Sequence, residues 1–115
     1  MSKSSDYPNK KRFDLTATIA ISTTTSALVD LVGTDLVAIH LPAAMTGVAI
    51  SFQASVDGAN FFAVNDGVGA AVSITTAANQ IIPVPAYIHN FRWVKLVSGS
   101  TELAARTIGL ITRAS

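Results

Sequence analysis

The chain has 115 residues, no cysteine and a formal net charge of +1 at pH 7. This length suits one domain with a single modest core, and the lack of cysteine excludes disulfides, zinc–thiolate sites and cysteine nucleophiles. Half of the residues are apolar and only 13% are charged, so few polar groups are available to cover the surface. Because large exposed apolar patches usually mark contact sites, the composition predicts a subunit of a larger assembly. A monomer with a surface rich in alanine and threonine is the alternative.

The first twelve residues differ from the rest of the chain and show no apolar periodicity. They contain four basic residues and one acidic residue: Lys3, Lys10, Lys11, Arg12 and Asp6. The remaining chain keeps four of the eight basic residues and six of the seven acidic ones, so it is slightly acidic. We predict a basic extended arm (1–12) that precedes a folded domain (13–115). The arm binds a neighbouring subunit or an anionic surface in one interpretation and is a solvated terminus in the other.

Neither a membrane nor nucleic acid is an expected partner. The longest apolar span, Leu36–Phe52, is interrupted by His40, Pro42 and Gly47, which makes it too broken and too short for a membrane helix. No apolar segment of the kind found in secretory signals follows the polar start of the chain. A net charge near zero provides no general attraction to nucleic acid.

Two strands are predicted in the first third of the chain. Leu15–Ile21 alternates apolar residues with Thr16 and Thr18, which is typical of a strand with one buried face. A turn rich in serine and threonine follows. The short apolar segment Ala27–Val32 is predicted as a strand, although a helical turn also fits it.

The segment Leu36–Gly58 carries the clearest pattern. Apolar residues alternate from Val37 to Leu41 and again from Val48 to Ala54. This period of two predicts two strands, each with one apolar face. Pro42 and Gly47 interrupt the pattern between them, and we predict that the two strands pair with each other on either side of this loop.

The second half of the chain contains five more predicted strands, separated by turn signals such as Asp57-Gly58 and Ser98-Gly99-Ser100. These strands are Asn60–Val64, Gly69–Thr75, Gln80–Val84, Phe91–Val97 and Arg106–Thr112. In the fourth of them, alternation places Trp93 on the same face as Phe91 and Val97, and we predict that Trp93 belongs to the core.

This series amounts to about eight or nine short strands without any long segment of helical periodicity. Such spacing indicates an all-β fold, and the number of strands favours an antiparallel β-sandwich of the jelly-roll type with an extended N-terminal arm. An immunoglobulin-like sandwich is the alternative, although its Cys–Trp–Cys pattern is absent.

The sequence contains no catalytic motif that we can identify. His40 and His89 are far apart, and two such histidines without a carboxylate cluster do not make a metal site. No serine lies in a G-x-S-x-G motif, and no glycine-rich phosphate loop is present. Glu102 is the only glutamate, which argues against a paired-carboxylate glycosidase. We predict a protein that is not an enzyme and has no metal or cofactor.

Four of the six aspartates fall at predicted turns, where this residue bonds to nearby backbone. They are Asp30, Asp35, Asp57 and Asp66. Calcium bound in a loop at Asp57-Gly58 or Asp66-Gly67 is an alternative, but the alternating oxygen ligands of a calcium loop are missing.

Aromatic residues offer a few candidates for contact with a partner. Phe91-Arg92-Trp93-Val94-Lys95 interleaves aromatic and basic residues, as do some nucleic-acid and sugar platforms, but alternation favours a core position for its rings. Tyr87, which lies in a predicted loop, is a better candidate for an exposed contact. Phe62 is a second such candidate.

Several segments of the sequence resemble small β-sandwich proteins encoded among the structural genes of tailed bacteriophages. They are Leu36–Thr46, Ile50–Gly58, Phe91–Gly99 and Ala105–Ile108. The resemblance covers about residues 15–112. It consists of segments predicted as strands and turns and includes no active-site residue. The basic arm lies outside it.

The resemblance implies a virion component, namely a decoration (cement) protein on the outer surface of the capsid. It implies the major capsid protein as the partner, a homo-oligomer (trimer or dimer), and a location in the virion after assembly in the host cytoplasm. The alternative is a carbohydrate-binding or adaptor module of a tail, baseplate or head fibre. That role would require exposed aromatic residues, for which Tyr87 and Phe62 are available.

Overall fold

The computed structural model describes residues 12–114, and their side chains from Leu15 onward. Within this range the chain forms nine strands and one short 3-10 helix. The strands are β1 (Arg12–Ile19), β2 (Val29–Asp30), β3 (Thr34–His40), β4 (Ala49–Ser55), β5 (Phe62–Ala63), β6 (Ser73–Thr75), β7 (Ile81–Pro83), β8 (Trp93–Ser98) and β9 (Arg106–Ala114). The 3-10 helix, Ala86–Asn90, lies in the connection from β7 to β8.

The strands form two antiparallel sheets, which confirms the predicted all-β sandwich. The first sheet has the order β1-β9-β3-β7, and the second has the order β2-β8-β4-β5. The strand β6 also pairs with β4, through residues 49–51, while β5 pairs with residues 53–54. β5 and β6 therefore share one edge of β4 and lie end to end along it.

The pairing is nested along the chain. β1 pairs with β9, β2 with β8, β3 with β7, and β4 with β5 and β6. A long hairpin of this kind rolls up when β3 also pairs with β9 and β4 also pairs with β8, as they do here. This is the jelly-roll arrangement that the number of strands suggested.

The core lies between the two sheets and is built from their inner faces. Completely buried side chains come from the central strands of both sheets, among them Ile39, Ile50, Leu96, Ile108 and Leu110. Alternation along each strand directs these residues inward and leaves threonines and charged residues outside.

The prediction that the strands of Leu36–Gly58 pair with each other is wrong. β3 lies between β9 and β7 in the first sheet, whereas β4 lies between β8 and β5 in the second. The loop 41–48 therefore crosses from one sheet to the other. Alternation identifies a strand with one buried face, but it carries no information about the neighbouring strand.

A β-bulge corrects the predicted inner face of β3. Leu36 pairs with Thr112 and Ala38 pairs with Ile111, so Val37 is an extra residue on β3. A bulge of this kind shifts the alternation by one residue. Leu36 and Ile39 are therefore both completely buried, and Val37 is only half-buried.

The prediction that Trp93 belongs to the core is wrong as well. Val94 and Leu96 are completely buried, whereas Trp93, Lys95 and Val97 lie half-buried on the outer face of β8. The guanidinium carbon of Arg92 lies 4.5 Å from the centroid of the Trp93 ring. Both faces of this strand carry large apolar residues, so alternation alone could not identify the inner one.

Candidate docking surface

The ends of the sandwich differ, and one of them holds both ends of the described chain. At this end, Thr34 at the start of β3 pairs with Ala114 at the end of β9, and Arg12 of β1 pairs with Thr112. In the second sheet, Trp93 at the start of β8 lies opposite Ser55 and next to the last residue of β2. We call this the terminal end and the opposite one the closed end.

Three connections meet at the terminal end: residues 31–33, 56–61 and 84–92. They expose several large apolar side chains to solvent. The side chain of Val56 is 88% exposed, that of Phe62 at the start of β5 is 70% exposed, and that of Tyr87 in the 3-10 helix is 54% exposed. Val32 is exposed as well. Several exposed apolar side chains at one end of a sandwich make that end a candidate contact surface.

An apolar cleft of about 280 Å³ opens at this end beside β5. It is lined by Ala54, Ser55, Val56, Phe62, Ala63, Val64, Asn65 and Phe91. Two phenylalanines therefore line one opening, and only two of the lining residues, Ser55 and Asn65, have polar side chains. The hydroxyl oxygen of Ser55 already accepts the backbone N–H groups of Asp57 at 3.1 Å and Gly58 at 2.8 Å.

A second cleft, of about 210 Å³, lies between residues 31–35 and residues 89–92. Phe91 lines both clefts, so the two are neighbours on one surface. The second cleft is more polar because Asp35, His89 and Arg92 line it. The Nε2 atom of His89 is buried and has no hydrogen-bond partner among the described residues.

The turn that carries Val56 is held by the carboxylate of Asp57. Its Oδ1 accepts the backbone N–H groups of Asn60 at 2.9 Å and Ala59 at 2.8 Å, and its Oδ2 accepts Nδ2 of Asn60 at 2.9 Å. These hydrogen bonds hold the pKa of Asp57 well below its usual range. The turn is therefore ordered before any partner binds, which reduces the entropy lost on binding.

Trp93 supports the same turn from the outer face of β8. Gly58 adopts φ +79°, and a Cβ atom built on it would lie 3.1 Å from Cε2 of the indole. Glycine is needed here for both the backbone conformation and the close approach. With Arg92 over its ring and Gly58 beside it, Trp93 supports the turn that carries the exposed side chain of Val56.

The closed end is organised around a buried carboxylate. Glu102 is completely buried, and four donors converge on it. Oε1 accepts the N–H of Thr46 at 2.8 Å and Nε of Arg106 at 2.8 Å, whereas Oε2 accepts the N–H of Gly47 at 2.9 Å and the hydroxyl of Ser98 at 2.6 Å. All of its acceptor positions serve to join the loops, so its role is structural.

The cationic residues predicted to bind a partner lie at the start of the chain. Lys3, Lys10 and Lys11 lie outside the described residues. Arg12 is the first residue of β1, and its backbone pairs with Thr112 at the terminal end. The predicted arm therefore joins the fold at the end that carries the two clefts.

The structure brings the two aromatic candidates from the sequence, Tyr87 and Phe62, to the terminal end. His40 is exposed on β3 at the far end of that strand, and His89 lines the second cleft. Sequence reasoning missed Val32, Val56 and Phe91. The one available clue was the position of these apolar residues directly beside turn signals. A residue there lies outside a strand and is not part of its buried face.

Among residues 12–114 no three acidic or histidine side chains come together in a group that could hold a metal ion. In the same range no helix is long and apolar enough to cross a membrane.

Sequence comparisons identify no relative of this chain. No family model matches it, and no curated protein matches it. Among solved structures, its fold is similar to that of the SPBc2 prophage-derived protein YomS, with a TM-score of 0.58 and 12% sequence identity. The likeness covers 92% of this chain and 93% of that one. At this identity it shows a shared fold over nearly the whole of both chains.

Proposed function

We propose that this chain is a structural protein of a tailed-bacteriophage virion, namely a head decoration protein that binds the outer capsid surface and stabilises the shell. The observation that carries the proposal is the apolar terminal end, where exposed Val56 and Phe62 border a cleft on an ordered turn. The similarity of its fold to a prophage-derived protein supports a phage origin.

A decoration protein must add buried area to a shell without chemistry of its own. The terminal end suits this task because burial of its apolar side chains against a partner stabilises the complex. The stabilisation is about 25 cal/mol per Å² of apolar area removed from water. Each contact can be weak, since a shell offers many equivalent sites and several contacts act together. We propose the major capsid protein as the partner and a closed homo-oligomer as the bound form.

The basic arm fits the same orientation. The described fold begins at the terminal end with Arg12, and Lys3, Lys10 and Lys11 precede it in the sequence. We propose that the apolar surface provides most of the binding energy and that the arm adds contacts with acidic groups on the shell.

The carbohydrate-binding alternative is less well supported by the chemistry of the cleft. Sugar sites need several polar groups to orient hydroxyls, in addition to a ring for stacking. The cleft beside Phe62 offers the side chain of Asn65, while the hydroxyl of Ser55 is already bonded within its own turn. Its lining suits an apolar side chain of a protein better than a sugar.

The test is binding of the purified chain to expanded empty shells of the phage that encodes it, measured by co-sedimentation. We expect the double variant Val56→Ser with Phe62→Ser to lower the affinity about tenfold or more, since such anchors dominate interfaces. The matched control is Val48→Ser with Leu103→Ser, which changes two equally exposed apolar residues at the closed end and should bind like the wild type.

Two outcomes would contradict the proposal. If the control variant loses as much affinity as the terminal-end variant, the terminal end is not the docking surface. If the wild-type chain fails to bind shells, and purified particles hold only a few copies of it, the decoration role is wrong. Detection of many copies on the head is the expected result.

A further inference from the structure

The four sheet edges are protected to different degrees. The edges of the first sheet are β1 and β7, and those of the second are β2 and the line of β5 and β6. β2 and β5 have two residues each, and β6 and β7 have three. β7 also contains Pro83. Short strands and proline are devices that keep an edge from pairing with another chain.

β1 has none of these protections along most of its length. It has eight residues, and its pairing with β9 is regular from Leu15 to Ile19. No strand of the described range pairs with its other side. The segment from Leu15 to Ile19 contains no charged residue and no proline. This five-residue segment is therefore a regular and uncharged edge, which presents backbone donors and acceptors to a second strand.

We propose that β1 is a self-association surface, through which two copies of this chain pair edge to edge about a two-fold axis. The regular segment is centred on Ala17, so antiparallel pairing about that residue places Thr16 opposite Thr18 of the second copy and Leu15 opposite its Ile19. The first sheets of the two copies then form one continuous sheet of eight strands. The proposal does not depend on the capsid role.

The side chains of β1 suit this pairing. Ala17 and Ile19 are buried in the core of their own chain, so they hold the strand against the sandwich. Thr16 and Thr18 lie on the exposed face, where the Oγ1 atoms of Thr18 and Thr107 are 3.2 Å apart. Pairing about a two-fold axis brings Thr16 of one copy close to Thr18 of the other. Lysines at these positions would repel each other, whereas threonines are well suited to neighbouring strands.

Exposed apolar residues also follow this edge strand in the sequence. Ile21 and Leu28 lie in the connection from β1 to β2, the two edge strands on this side of the sandwich. A second copy beside β1 can cover part of this connection and remove it from water. Because the surface lies along the side of the sandwich, the terminal end stays free for another partner.

The first test is sedimentation equilibrium of the full chain. Since the contact is smaller than a standard interface, we expect a monomer–dimer equilibrium with a dissociation constant of about 10–100 μM. The variant Thr16→Lys with Thr18→Lys should weaken it about tenfold or more. The control Thr107→Lys adds a charge to the same face on β9, loses the same hydroxyl contact, and should dimerise like the wild type.

A second test fixes the register. The chain has no cysteine, so any disulfide must come from introduced residues. Thr16→Cys with Thr18→Cys should form covalent dimers under mild oxidation, whereas Thr16→Cys alone places its two sulfurs too far apart and should form few.

A wild-type chain that remains monomeric at about 500 μM would overturn the proposal, as would a trimer without any dimer. Equal dimerisation by the double lysine variant, with its thermal unfolding showing a normal fold, would show that the copies meet elsewhere. A chain that dimerises but does not bind shells would contradict the capsid role and leave the proposal about β1 standing. The two proposals can therefore fail independently.

Discussion

At the scale of single residues, Glu102 shows how one charge can join distant parts of the chain. Its carboxylate connects the crossover loop at Thr46 and Gly47 with Ser98 and Arg106 on the β8–β9 side. Burial by itself would raise its pKa, but the hydrogen bonds from Ser98, the two backbone N–H groups and Arg106 outweigh burial and lower the pKa from 4.5 to about 2. The residue is therefore ionised throughout the neutral range and is needed in that state.

We expect Glu102→Gln to lower the free energy of unfolding by about 3 kcal/mol, because an amide cannot accept from all four donors and leaves Arg106 without its counter-charge. In a domain of this size the melting temperature should fall by about 10 °C or more, which differential scanning calorimetry would measure. The control is Asp66→Asn, in an exposed turn where the amide oxygen can keep the bonds from Val68 and Ala70. Equal losses in the two variants would contradict this role for Glu102.

The same carboxylate predicts how stability depends on pH. Its pKa is lower in the folded chain than in the unfolded one, so its stabilisation is present above about pH 4.5 and is lost as the pH falls towards 2. The lowered pKa values of Asp57 and Asp30 act in the same direction. Urea midpoints should therefore fall between pH 5 and pH 3, and Glu102→Gln should flatten this dependence. A wild-type midpoint that is unchanged at pH 3 would contradict it.

At the scale of elements, β8 shows where alternation is not sufficient. Arg92, Val94 and Leu96 form one face of this segment, and Phe91, Trp93, Lys95 and Val97 form the other. Either face could have been the core. The neighbours decide, because pairing with β4 matches Leu96 with Phe52 and Val94 with Ala54 on the inner face. A tryptophan with an arginine over its ring is then free to support the outer turn at Gly58.

This assignment predicts different costs for the same truncation on the two faces. Val94→Ala should lower the free energy of unfolding by about 2 kcal/mol, since it leaves a cavity between the sheets. Val97→Ala, on the half-buried outer face of the same strand, should cost about 0.5 kcal/mol. Urea denaturation of both variants measures the difference. Equal costs, or a larger cost at Val97, would mean that the strand faces the other way.

At the scale of the whole molecule, the two ends of the sandwich carry different groups. At the closed end, the loops are joined by the side chain of Glu102 and by backbone hydrogen bonds. One of these runs from the N–H of Ser22 to the carbonyl of Glu102 at 2.8 Å. The terminal end carries exposed apolar residues, both clefts and the first residue of β1. The buried carboxylate that joins the loops and the proposed docking surface therefore lie at opposite ends, so we expect that a change at one end need not disturb the other.

This separation can be tested with a chain that begins at Arg12. The described fold starts at that residue, so we expect the shortened chain to keep its melting temperature within a few degrees and to lose affinity for expanded shells. Because the lost groups are mainly cationic, the loss should be largest at low salt. A control chain with Lys3, Lys10 and Lys11 replaced by glutamine separates charge from length. Binding of the shortened chain as strong as that of the wild type would reject a role for the arm.

The sequence by itself determined the class of this fold. Short alternating segments, threonines on exposed faces and frequent turn residues identify nearly every strand, because a period of two is a local property of the backbone and each strand needs one apolar face. The lack of cysteine likewise excludes disulfides and cysteine nucleophiles in this chain. These conclusions depend on residues that are close in sequence.

Tertiary structure alone decided which strands pair, which face of β8 is buried and where the exposed apolar residues meet. The bulge at Val37 and the crossover loop depend on partners more than forty positions away. The terminal end forms because four parts of the chain meet in space: the start of β1, the end of β9, the turn at Asp57 and the 3-10 helix. Such convergence is set by the free energy of packing two sheets together, which no local pattern contains.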